Sequence, residues 1–170
     1  MHARRTSLVV SLLGALLTAG SVGAETPPPS VQGPWLGVWK LNVEKSNYQV
    51  GKPPAGTVRT YAMTAAGPDS FNILIDSKTP EGVPTMHMEL KGGKFDGKDY
   101  KDEGNPVADF NRFKLTGKRS YEFVETKNGA EIMKITVEIS KDGKTRTSRQ
   151  NGKGPDGKPT LNVAVWDRQD

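Results

Sequence analysis

Trp35-Leu36-Gly37-Val38-Trp39-Lys40-Leu41-Asn42-Val43 reads as a β-strand with one buried face. Trp35, Trp39, Leu41 and Val43 share one parity, while Lys40 and Asn42 take the other, which is how a strand covering a core on one side is written. Gly37 lies between the two tryptophans on their face. A missing side chain there lets another strand or ring approach closely. The rest of the chain reads as a meander that closes onto this strand.

Working outward to the C-terminal side, the same alternation recurs. Tyr61 and Met63 share a parity in the stretch from Thr57 to Ala66. Phe71, Ile73 and Ile75 alternate with Asn72, Leu74 and Asp76, and Met86, Met88 and Leu90 alternate with Thr85, His87, Glu89 and Lys91. Gly67-Pro68-Asp69-Ser70, Thr79-Pro80-Glu81-Gly82 and Gly92-Gly93 punctuate these segments as turns. Lys94 to Tyr100 has the look of a short kinked hairpin, and Lys101 to Val107 of a polar loop. Phe113 and Leu115 precede a turn at Thr116-Gly117-Lys118. Tyr121 and Phe123 lead to Asn128-Gly129, a favoured two-residue hairpin because both positions tolerate positive φ. Met133, Ile135, Val137 and Ile139 form the clearest strand, turned by Asp142-Gly143 into Lys144 to Gln150. Asp156-Gly157 then leads to a last strand holding Leu161, Val163 and Val165 on one side and Asn162, Ala164 and Trp166 on the other.

This spacing predicts an all-β domain over residues 35–170: a single antiparallel up-and-down β-barrel of about 8–10 strands, with a Greek-key β-sandwich as the alternative. Closure removes the unpaired edges that a meander otherwise carries. The segment Lys144-Thr145-Arg146-Thr147-Ser148-Arg149-Gln150 is polar on both parities. Its expected place is an exposed edge blunted by charge; the other reading turns Arg146 or Arg149 into the cavity.

The N-terminal side carries a different signal. Arg4 and Arg5 precede an apolar run from Leu8 to Leu17, and Val22-Gly23-Ala24 offers the small residues of a cleavage site. Residues 1–24 therefore read as a secretory signal peptide. The run is too short to cross a hydrocarbon layer of ~30 Å, and no stable membrane insertion is expected after cleavage. Residues 25–34, rich in Pro, Ser and Gly, read as a flexible leader. Cleavage leaves 146 of the 170 residues, enough for one core. The full chain has a formal net charge of +5, and loss of Arg4 and Arg5 leaves +3. The lysines are scattered among turns, which marks solubility and not a nucleic-acid face. The chain contains no cysteine, so stability must come from burial alone. The expected product is a monomer, periplasmic or secreted.

Chemistry has few places to reside. Beyond the signal the sole histidine is His87, on the parity opposite Met86 and Met88, and therefore expected on the surface. A Ser-His-Asp triad or a His-containing metal site would have to use it. Acidic pairs such as Asp99/Asp102 fall in polar loops. No stretch has the alternating acids of a calcium loop, and the glycines form no phosphate cradle. No catalytic residue, metal or cofactor is assigned. The inward set is Trp39, Tyr61, Met63, Met86, Met88, Phe113, Tyr121 and Met133. These build either a packed interior or an adaptable wall around a small apolar or amphipathic ligand. Ligand binding is the expected function, with a filled, non-catalytic cell-envelope interaction module contacting protein or glycan as the alternative.

Gly37-Val38-Trp39-Lys40-Leu41-Asn42, Lys45-Ser46, Gly51-Lys52-Pro53-Pro54 and the strand with Tyr61 resemble, in this order, a group of exported bacterial proteins of unknown function with a lipocalin-like barrel. Phe95-Asp96-Gly97-Lys98-Asp99-Tyr100, Gly104-Asn105-Pro106, Ser140-Lys141-Asp142-Gly143-Lys144-Thr145 and Asn162-Val163-Ala164-Val165-Trp166-Asp167 extend the match. The resemblance implies the barrel and a binding role, with no catalytic residue. It also implies that Trp39 plugs the closed end beneath an arginine from near the last strand, Arg168 or Arg149.

Overall fold

A computed structural model describes residues 30–170. The signal peptide assigned to residues 1–24, and the leader as far as residue 29, lie outside the described residues. Ten strands follow in order: β1 (Gly37–Asn47), β2 (Val58–Ala65), β3 (Phe71–Lys78), β4 (Pro84–Gly93), β5 (Tyr100–Lys101), β6 (Phe110–Gly117), β7 (Ser120–Lys127), β8 (Ala130–Ile139), β9 (Thr145–Lys153) and β10 (Pro159–Arg168). Their order across the sheet is β4-β3-β2-β1-β10-β9-β8-β7-β6-β5. Consecutive strands pair antiparallel except β4 and β5, and β1 pairs with β10, Trp39 opposite Arg168 and Leu41 opposite Trp166. This is the up-and-down barrel that the alternation predicts; the sandwich is not formed.

Local chemistry accounts for the hairpins. Asn128 and Gly129 both have positive φ, 50° and 77°, the geometry in which a two-residue turn matches the twist of its strands. One junction is not a regular ladder: β4 and β5 stand at the two ends of the strand order. There Glu89 and Glu103 exchange a pair of backbone hydrogen bonds, 2.8 Å each. Gly104 permits this approach, because a side chain on it would collide with the carbonyl of His87. The barrel is thereby nearly closed.

Two segments depart from the sequence reading. Residues 94–99 make no hairpin; they form a loop that drops Phe95 into the interior, 5% exposed. The polar segment at Lys144–Gln150 is not an edge. As β9 it lies between β8 and β10, with Arg146 and Ser148 both 2% exposed. Its inward parity is polar because it faces hydroxyls and rings, as described below, and the charge there serves the interior.

One end of the barrel is sealed. Trp39 is fully buried and its indole N–H donates to the Trp35 carbonyl (3.2 Å), while the Trp35 indole donates to the Val31 carbonyl (2.9 Å). The Arg168 guanidinium sits 4.3 Å from the Trp39 ring centroid. It donates to the carbonyls of Pro34 (2.7 Å), Leu36 (3.1 Å) and Gly143 (2.8 Å), so the cation is both stacked and hydrogen-bonded. Arg168, not Arg149, is thus the covering arginine. At Gly37 an added Cβ would stand 2.5 Å from that guanidinium, so the close partner admitted by the missing side chain is Arg168. Above this plug, Trp35, Phe71, Phe95, Phe113 and Tyr121 pack edge to face or tilted, centroids 5.0–6.4 Å apart. They fill the lower half of the cylinder.

Candidate functional site

The upper half is open. A solvent-connected cavity of about 240 Å³ lies inside the barrel. Tyr61, Ile75, Met86, Met88, Phe123, Met133, Ile135 and Trp166 supply its apolar wall, and Asn105, Pro106 and Val107 overhang it from the loop before β6. Of the eight inward residues read from the sequence, Tyr61, Met86, Met88 and Met133 line this space. Met63, Phe113 and Tyr121 are buried in the packing beneath it, and Trp39 lies in the plug. The interior is therefore neither wholly filled nor wholly hollow: the two readings apply to different halves.

Polar groups gather at two levels. The floor is built by β2, β7, β9 and β10. The Tyr61 and Tyr121 hydroxyls stand 3.3 Å apart, and Arg146 Nη2 donates to the Tyr121 hydroxyl at 3.2 Å. The Arg146 guanidinium lies 4.1 Å from the Tyr61 ring centroid and 5.5 Å from that of Trp166. Trp166 in turn donates its indole N–H to Ser148 Oγ at 3.4 Å. Burial, reinforced by the neighbouring Tyr121, holds the Tyr61 phenol well above its usual range, so it remains a hydrogen-bond donor. Arg146 Nε has no acceptor, and no carboxylate among the described residues forms an ion pair with this guanidinium.

Nearer the mouth, Arg59 also lines the cavity and its Nε too lacks an acceptor. Glu125 shares the inward parity of Tyr121 and Phe123. Burial first, and the charge of Asp102 second, push its carboxyl up to about 7. Asp102, 8% exposed, anchors the overhanging loop: its Oδ2 accepts from Asn105 Nδ2 and Asn111 Nδ2, both at 2.8 Å. Burial raises the Asp102 carboxyl and those two amides oppose the rise. Asn105 Oδ1 accepts from the backbone N–H of Val107 (2.9 Å) and Ala108 (3.2 Å), which fixes the loop across the opening.

His87 is exposed, as its parity predicts, with Nδ1 2.8 Å from Asp76 Oδ1. Sequence reasoning missed Arg59, Glu125 and Trp166 as cavity residues and set Arg146 on an edge. A signal was present: Arg146, Ser148 and Gln150 share a parity, and all three line the cavity.

The chain matches no protein-family model and no curated protein. Among solved structures it is similar to the fluorescent protein UnaG. One crystal structure, of an alanine variant, is 14% identical with a TM-score of 0.53, covering 81% of this chain and 97% of that one. A glutamine variant of the same protein is 16% identical with a TM-score of 0.52, covering 79% and 95%. At this identity the likeness is one of fold. It supports the single up-and-down antiparallel β-barrel, of lipocalin-like form, that the strand order describes.

Proposed function

We propose that this protein binds a small apolar or amphipathic molecule in the upper half of its barrel. The observation that carries the reading is the division of the interior. A stacked aromatic layer gives a rigid floor, and above it methionines and aromatics surround open space with a few converging polar groups. That composition characterises ligand sites, and methionine walls adapt to the occupant's shape. At about 240 Å³ the space is below the ~300–1,000 Å³ of drug-sized sites, so the occupant is small or leaves its tail at the mouth. An open cavity speaks against a filled interaction module. The protein acts as a non-catalytic monomer in the periplasm or outside the cell, after loss of residues 1–24.

Two measurements test this. Native mass spectrometry of protein purified from its own host should reveal a co-purifying small molecule. An apolar fluorescent probe should brighten with the wild type and not with Met86→Trp, which fills the cavity from its wall. A wild type that carries no molecule and leaves the probe dark overturns the reading, as does a variant that folds and binds equally well.

A further inference from the structure

We propose that the occupant is an amphipathic carboxylate, its head held by the Arg146 guanidinium and the Tyr61 and Tyr121 hydroxyls, its tail running up past Met86, Met88 and Met133. This deepens the ligand-binding reading and rests on it. Arg146 is 2% exposed and lines the cavity, yet among the described residues it has no acid partner and its Nε–H meets no acceptor. Guanidinium carries five N–H donors, and the structure accounts for a single side-chain acceptor, the Tyr121 hydroxyl.

Two explanations compete for such a residue. In the structural one, Arg146 is a spacer stacked between Tyr61 and Trp166. Methionine or leucine would fill that volume without the cost of desolvating a charge, which is large when no counter-ion offsets it. Stacking on two rings offsets part of that cost but leaves the Nε–H without an acceptor. The second explanation uses it. A planar guanidinium with an unpartnered Nε–H, beside hydroxyl groups and an apolar channel, matches a carboxylate, which accepts two parallel N–H bonds.

The second arginine strengthens the case. Arg59 also faces the cavity and also has an orphaned Nε, so two guanidinium groups share one interior. Glu125 is the single acid among the residues lining this space, and it makes no ion pair with either. The interior thus has an excess of cationic charge awaiting an anion. The small volume sets the tail at a medium-length chain.

Calorimetric titration with octanoate, octan-1-ol and octylamine at one pH separates the possibilities. The chain is constant and only the head differs. Octanoate should bind at least about tenfold tighter than octan-1-ol, the size of one charge-assisted hydrogen bond, and octylamine should bind weakest. Arg146→Met should bring octanoate down to the level of octan-1-ol and leave octan-1-ol unchanged; Arg146→Lys should restore part of the preference. Equal binding of octanoate and octan-1-ol by the wild type overturns the anionic assignment and leaves the ligand-binding reading standing. Failure of all three to bind removes both. The wild-type comparison needs no variant, so a misfolded Arg146→Met does not rescue the claim.

Discussion

Replacing Glu125 by Gln should stabilise the protein at alkaline pH and do almost nothing in acid. In the unfolded chain this carboxyl titrates near 4.5, and in the barrel near 7. Below pH 4.5 it is protonated in both states and contributes no difference. Between 4.5 and 7 the unfolded chain gives up the proton while the folded protein keeps it, so stability falls with rising pH. Above 7 the loss is complete. The interval between 4.5 and about 7, at ~1.36 kcal/mol per pH unit, amounts to roughly 3 kcal/mol. That is an upper value, because Glu125 is half-buried and water at the mouth screens it. Gln keeps the shape without the charge and relieves Asp102 of a like neighbour. Urea denaturation of both proteins at pH 4 and pH 8 reads the effect. The variant should match the wild type at pH 4 and exceed it by roughly 2–3 kcal/mol at pH 8, about 4–12 °C in Tm for a domain of this size. A stability difference that is the same at both pH values refutes the assignment of Glu125 as a buried acid held neutral by its surroundings.

Three further outcomes follow from the packing. Trp39→Ala should cost roughly 3–5 kcal/mol, since it empties the plug beneath Arg168; an unchanged Tm would exclude that role. Gly104→Ala should force the loop away from the His87 carbonyl, and amide exchange should accelerate at Glu89 and Glu103 while β8 and β9 keep their protection. Arg146→Met should leave the empty protein as stable as the wild type or up to ~2 kcal/mol more so, because a desolvated charge is exchanged for packing. A loss above ~1 kcal/mol, read from chemical denaturation, would mark Arg146 as a structural element.

The parts of this molecule legible in its sequence are those ruled by period-2 alternation. Phe71-Ile73-Ile75, Met133-Ile135-Val137-Ile139 and Trp39-Leu41 fall inward as their parity requires, and Asn128-Gly129 turns where its tolerance of positive φ allows. Arg146 was obscured because polarity alone was used to place β9. Chain order held better information: in an up-and-down meander that closes β1 on β10, a strand flanked by two tight turns is central whatever its polarity. Alternation also says which side a residue faces without saying how high it sits. Trp35 and Phe95 enter the interior from outside the regular strands, and they decide that Phe113 and Tyr121 lie in solid packing while Met86 and Met133 border open space. Glu125 acquires its character first from burial and then from Asp102, a loop residue that only the folded chain brings near.

The pairing of β1 with β10 has a kinetic price. Trp39 meets Arg168, and Asn42 meets Asp167 through a 2.7 Å hydrogen bond across 125 positions of sequence. No chain that lacks β10 can make that seam, so the cylinder shuts only once the segment through Arg168 is present. Nearly the whole loop entropy is then spent in one late step. A chain that has not yet formed this seam is consequently a ribbon of hairpins, and the interior cavity exists only once β10 has docked on β1.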